Sequence, residues 1–172
     1  MTSLKTIMVV SDPAIAAFVA EAGLDRLFVD LEVHGKAARQ PGDTWKSALT
    51  LADIPPIRAA APGVEMMVRV NPLHPGTGEE IDGALAAGAD ILMLPMVRTL
   101  AEIARFHDLL AARAPFIPLL ETAAGVALVA EILTGPRPAE VYFGLNDLSL
   151  DLGRDFMFEP LAEGMLDAPA AL

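Results

Sequence analysis

Six short apolar runs punctuate the chain: Ile7–Val10, Leu27–Asp30, Met66–Val70, Ile91–Leu94, Phe116–Leu120 and Val141–Leu145. Runs this brief and this apolar suit strands buried on both faces, as in a parallel sheet covered by helices. The last three begin 25 residues apart, the length of one strand-plus-helix unit. The recurrence leaves two architectures, an open doubly wound sheet or a closed (β/α)8 barrel. A dinucleotide-binding sheet would carry a glycine-rich loop after its first strand, and Val10-Ser11-Asp12-Pro13 has no glycine.

Polar residues instead follow several different runs: Asp30 and Glu32, Arg69 and Asn71, Glu121, then Asn146 and Asp147. Sites assembled from many strand ends are the habit of the barrel. The expected fold is therefore α/β, a (β/α)8 TIM barrel, as one domain over residues 1–172. Eight units need about 200 residues or more, and this chain stops soon after the sixth run. The barrel is expected to be truncated after the sixth strand, with strands one and six as open edges. The expectation is either that the chain is a fragment or that further copies or a partner chain cover that gap.

Composition excludes several classes of function. The net charge of −11 and the lack of a basic stripe argue against nucleic acid as a partner. The absence of cysteine removes disulfides, thiolate metal sites and a cysteine nucleophile. The most apolar longer window, Phe116 to Leu133, contains Glu121 and Glu131 and cannot cheaply span a bilayer. The N-terminal apolar run, cut short by Ser11-Asp12-Pro13, is too brief for a signal peptide. A cytoplasmic protein with no membrane association is expected. Ser11 and Ser149 lack a histidine partner in the pattern, which disfavours a serine hydrolase.

The helical segments carry start and stop signals. Asp12 can cap the first helix, with Pro13 at its first position. Thr77 with Glu80, and Thr99 with Glu102, have capping-box spacing. Ile103, Phe106 and Leu110 fall on one helical face, and Gly23 and Gly88 fit left-handed caps. Pro55-Pro56 conflicts with a helix begun at Thr50, which should start late or with an irregular turn.

Glu121 and Asp147 each follow an apolar run, so two carboxylates on adjacent strand rims are placed to share one divalent cation. The alternative is that each merely caps the helix that follows it.

Five stretches, read together and in order, resemble the HpcH/HpaI aldolase and citrate lyase β-subunit family of the phosphoenolpyruvate/pyruvate barrel superfamily. They are Phe28-Val-Asp-Leu-Glu32, Arg69-Val-Asn71, Gly88-Ala-Asp-Ile-Leu-Met-Leu-Pro-Met96, Leu119-Leu-Glu-Thr-Ala-Ala-Gly125 and Phe143-Gly-Leu-Asn-Asp-Leu-Ser149. The resemblance implies a metal-dependent barrel that makes or breaks a carbon–carbon bond beside a 2-oxo acid or an acyl thioester. It implies that Glu121 and Asp147 are the metal ligands and that Arg69 faces the substrate. In the family's aldolases a histidine follows the second strand closely; here Val33 intervenes and His34 falls one residue later.

Physical chemistry supports the same roles. Mg²⁺, with Mn²⁺ or Co²⁺ as alternatives, takes one or two protein carboxylates and fills its shell with water and substrate. Arg69 offers a positive fork to a carboxylate or an enolate, or else pairs with a barrel acid. Asp30 and Glu32 flank Leu31 and point to one side, where they orient Arg69 or a metal-bound water, or face the helices. Asn71 and Asn146 suit turns or substrate hydrogen bonds. His34 is the candidate base, ahead of His74 and His107, and a metal-bound hydroxide is an alternative. Lys36 and Arg39 make the loop after strand two basic, as an anion attractor or as ordinary solvated surface.

The expected activity is a metal-dependent aldolase or lyase acting on a small anionic 2-oxo acid or acyl-CoA-like compound. The alternative is a non-catalytic barrel piece that assembles with other chains. An isomerase or phosphate-binding barrel would need loops after strands seven and eight.

Overall fold

All six apolar runs form strands. The structure, a computed structural model, describes residues 4–40, 46–135 and 138–172. In chain order the elements are β1 (Ile7–Val9), α1 (Pro13–Glu21), β2 (Arg26–Asp30), α2 (Lys36–Arg39), a 3-10 turn (Leu51–Asp53), α3 (Ile54–Ala60), β3 (Glu65–Arg69), α4 (Thr77–Ala87), β4 (Ile91–Leu94), α5 (Leu100–Leu110), β5 (Phe116–Leu120), α6 (Ala123–Ala127), α7 (Val129–Thr134), β6 (Tyr142–Phe143), α8 (Leu145–Asp151), α9 (Glu159–Ala162) and α10 (Asp167–Ala170). The strands pair in sequence order, all parallel. They form a curled partial barrel with helices outside. Among the described residues no helix is long and apolar enough to cross a membrane.

Alternation along each strand sorts the side chains into two sets. Leu27, Val29, Met66, Val68, Leu92, Leu94, Phe116 and Leu120 pack outward against the helices in the larger core. Phe28, Met67, Ile91, Met93, Ile117 and Leu119 form a separate cluster inside the curl. Following that inner set one step further along each strand reaches Asp30, Arg69 and Glu121. The same alternation that builds the core thus delivers three charged groups to one rim. At the opposite end, buried Arg26 donates to Glu65 at 2.5 Å and reaches across to Glu140 at 2.8 and 2.7 Å, closing the floor.

Several local expectations hold. Asp12 caps α1, accepting from the Ala14 and Ile15 amides, with Pro13 first in the helix. Thr99 and Glu102 form the capping box of α5, which buries Ile103, Phe106 and Leu110. Thr50 and Asp53 box the 3-10 turn, so the helix meets Pro55-Pro56 only after an irregular start. Gly88 caps α4 at φ 115°, and Gly23 follows α1 at φ 85°.

Two local expectations are corrected. Thr77 and Glu80 make no capping box. Gly76 precedes α4 without a side-chain cap, and the Glu80 carboxylate instead accepts from the Asn71 amide and side chain. The sixth strand is only two residues long, because α8 starts directly after Gly144. Asp147 therefore rides on the first turn of a helix rather than on an extended strand tip.

Candidate functional site

A cavity of about 450 Å³ opens at the C-terminal rim of the strands. Val9, Phe28, Leu119 and Phe143 give it an apolar lining, and Asp30, Lys36, Gln40, Arg69, Glu121, Asn146 and Asp147 supply its polar groups. Strand ends and the loops after them build such sites throughout α/β folds.

Arg69 is held by Asp30. Its Nε and Nη2 donate to the two carboxylate oxygens at 2.8 Å each, a bidentate pair. Its guanidinium lies 5.3 Å over the Phe28 ring. Burial opposes charge on both partners, but their mutual hydrogen bonds and attraction win: Asp30 is held below the usual carboxylate range and Arg69 above its ordinary value. Asp30 also accepts from the Lys36 ammonium at 2.5 Å and from the Glu32 amide at 3.0 Å. Glu32 is fully buried, accepts from Arg39 at 2.5 Å, and lies 3.5 Å from Arg69.

Glu121 and Asp147 line the same cavity, both buried. Neither caps a helix: Thr122 caps α6 by accepting from the Gly125 amide, and α8 has no side-chain cap. Among the described residues Glu121 accepts one hydrogen bond, at 2.9 Å from the Met96 amide. Met96 has φ 57°, a left-handed conformation uncommon outside glycine, and this turns its N–H toward the acid. Burial pushes the Glu121 carboxyl from its ordinary 4.5 up to about 8; Arg69 pulls it down and Asp147 pushes it further up. Asp147 Oδ1 accepts from Gln40 at 3.0 Å, and Oδ2 lies 3.7 Å from Arg39.

This donor set fits a hard divalent cation. Two buried carboxylates raise the cost of each other's charge, and a cation between them removes that cost. Among the described residues no cluster of three or more His, Asp or Glu side chains is arranged for a metal. Any ion here would depend on this pair plus water or ligand oxygens, the usual pattern for Mg²⁺.

The HpcH/HpaI aldolase/citrate lyase family matches residues 8–157. The chain belongs to this family. It is 36% identical over 98 residues to a citrate lyase subunit beta-like protein of Deinococcus radiodurans, covering 55% of this chain and 34% of that protein. It is 33% identical over 100 residues to a (3S)-malyl-CoA thioesterase of Cereibacter sphaeroides, covering 56% and 34%. The match thus spans about a third of the length of these curated relatives. The fold aligns with the citrate lyase beta subunit of M. tuberculosis, solved with oxaloacetate and magnesium. That alignment has a TM-score of 0.60 and 24% identity over 88% of this chain and 61% of that one.

Within this family frame, the cavity gathers six of the residues singled out from the sequence: Asp30, Lys36, Arg69, Glu121, Asn146 and Asp147. Glu32 stands behind them as an ion-pair partner. Asn71 holds a turn instead of the cavity wall, its Oδ1 accepting from the Val33 and His34 amides at 2.8 and 2.9 Å. His34 is placed outside the cavity lining, exposed and edge-on to His74 at 4.7 Å. Lys36, Arg39 and Gln40 are the contributors that sequence reasoning undervalued. Lys36 and Arg39 read as an anion attractor or an ordinary solvated loop and Gln40 carried no signal, yet Lys36 is buried and all three engage rim carboxylates. The available signal was balance: four acids at strand ends need more cations than Arg69 alone.

Proposed function

We propose that this chain is a metal-dependent carbon–carbon lyase acting on a small 2-oxo acid or related acyl compound. The observation that carries this reading is Glu121 and Asp147 on the wall of one cavity that Arg69 also lines. Glu121 and Asp147 would hold the divalent cation, Mg²⁺ foremost and Mn²⁺ or Co²⁺ by the same donor chemistry. The chemistry a cation supplies when bound there is Lewis-acid stabilisation of an enolate oxygen. The oxaloacetate and magnesium of the M. tuberculosis structure are a 2-oxo acid and a hard cation of the kind this donor set suits.

The chain's own residues divide the remaining work. Asp30 fixes Arg69 through Nε and Nη2; among the described residues Nη1 has no hydrogen bond, so it keeps donors for a substrate carboxylate or developing oxyanion. Phe28 and Leu119 give the cavity an apolar wall beside these groups. The Met96 amide orients Glu121. Val9 and Tyr142, exposed on the outermost strands, suit contact with further copies of the chain, and we expect a homo-oligomer.

The test is cleavage of a 4-hydroxy-2-oxo acid to pyruvate with added Mg²⁺, repeated with EDTA and with Glu121→Ala. Turnover should fall by about 100-fold or more in both cases. Turnover indifferent to chelation and to the substitution would sink the lyase reading.

A further inference from the structure

We propose that Lys36 is the acid–base residue of this cavity, exchanging a proton with the carbon next to the keto group of the bound 2-oxo acid. The inference rests on the lyase reading above and assigns a residue to one of its proton transfers, the one at the enolate carbon.

Breaking a carbon–carbon bond beside a keto group leaves an enolate, whose carbon must take up a proton before release. Few groups are placed to supply it. His34 is exposed and outside the cavity lining. His74 accepts from the Gly76 amide at Nδ1, and its Nε2 lies 3.2 Å from Glu80, away from the cavity lining. His107 sits in α5 beside Phe116 on the helix-facing side. Arg69 is fixed in its charged form by Asp30.

Lys36 is different. It opens α2, is 4% exposed, and lines the cavity together with Arg69, Glu121 and Asp147. Its Nζ donates to Asp30 at 2.5 Å and lies 3.7 Å from Glu32. An ammonium has three N–H donors, and the bond to Asp30 uses one. That bond fixes the side chain, Glu32 draws on a second N–H at longer range, and the place of Lys36 in the cavity lining leaves a proton for a ligand.

The step balances without an added reagent. The enolate π pair forms the new C–H bond with a Lys36 proton, the keto C=O re-forms, and the N–H pair stays on nitrogen as a neutral amine that solvent reprotonates. Run backwards, the neutral amine removes the same carbon-bound proton. The charged groups around this exchange are Asp30 and Glu32 after β2, Arg69 on β3, Arg39 on α2, Glu121 after β5 and Asp147 on α8.

The test separates proton transfer from binding. Wild-type chain with Mg²⁺ in D₂O should wash deuterium into the methyl group of pyruvate, read by NMR, and should bind oxalate, an enolate mimic, by calorimetry. Lys36→Met should lose exchange by about 100-fold or more while still binding oxalate, which Arg69 and the cation would hold, with an affinity loss of no more than about 10-fold. Lys36→Arg keeps the charge but cannot give up its proton and should not restore exchange. The chain has no cysteine, so Lys36→Cys alkylated with 2-bromoethylamine rebuilds an amine at this position alone. It should recover exchange with a pH profile moved downward, because the thioether lowers the basicity of the amine. Exchange that persists in Lys36→Met or Lys36→Arg overturns the assignment. So does loss of oxalate binding in Lys36→Met, which would make Lys36 a support for Asp30. A wild-type chain that neither exchanges nor binds oxalate defeats the lyase reading itself, and this inference with it.

Discussion

Arg26 and Glu140, 114 residues apart in sequence, meet across the floor of the curl through two hydrogen bonds of 2.8 and 2.7 Å. The arginine is buried and the acid is 40% exposed. One pair thus ties the start of β2 to a residue two positions before β6, at the end opposite the cavity. Their bond holds Glu140 below its ordinary carboxylate range, with burial opposing. A carboxyl depressed in the native state contributes stability above its unfolded pKa and loses it as pH falls through the native value. Urea unfolding should therefore show a stability loss below about pH 4.5 that shrinks in Glu140→Gln. At neutral pH that substitution should cost about 1–2 kcal/mol, since exposure discounts the pair while Arg26 keeps Glu65.

Gly125 carries a packing prediction. A Cβ there would lie 2.4 Å from the Val97 carbonyl and 3.1 Å from Thr122 Oγ1. That carbonyl already accepts the Thr122 hydroxyl at 2.8 Å, so the loops after β4 and β5 are sewn together just behind Glu121. Gly125→Ala should destabilise the chain by about 1–3 kcal/mol, measured by denaturant unfolding. It should also weaken metal binding, because the loop that aims the Met96 amide at Glu121 must move.

Much of this arrangement was legible in the sequence because period-two alternation is a strong constraint. Phe28 and Asp30, Met67 and Arg69, and Ile117, Leu119 and Glu121 share a face by counting alone, so three rim charges followed from the strand assignments. Positions in loops did not follow. The direction of α2 depends on Gly35 at φ 71° and on Asn71 accepting two amides 37 and 38 residues away. No local pattern encodes such contacts, so Lys36 and Arg39 stayed open between anion attractor and solvated loop, and His34 stood as a candidate base. Glu80 likewise had a local partner in Thr77 but found a stronger one in Asn71. The family resemblance supplied the metal reading of Glu121 and Asp147, where residue patterns alone left helix capping equally open.

Glu121 sets the pH dependence of the cavity. Its carboxyl is raised to about 8, chiefly by burial, so the native chain holds this proton more tightly than the unfolded chain. The associated stability is full below the ordinary value near 4.5 and declines as pH rises through about 8. A divalent cation that replaces the proton reverses the cost where the acid is ionised. Mg²⁺ should therefore raise Tm more at pH about 9 than at about 6. Glu121→Gln should abolish the difference between the two conditions.

Asp30 is predicted to be the least replaceable acid at the rim. It receives Arg69, Lys36 and the Glu32 amide. Asp30→Asn leaves one buried and one half-buried cation without their main partner. Breaking a buried ion pair typically costs about 3–5 kcal/mol, and thermal unfolding should register a loss of that order. Lys36→Met and Asp30→Asn combined should cost less than the sum of the two, since they remove the same pair.

The central claim is that Glu121 and Asp147 share a single divalent cation, and a Mn²⁺ titration followed by electron paramagnetic resonance tests it most directly. The account predicts one Mn²⁺ bound per chain, displaced by Mg²⁺, with binding lost in both Glu121→Gln and Asp147→Asn. Binding that survives either substitution, or a folded wild-type chain that takes up no Mn²⁺, would contradict it.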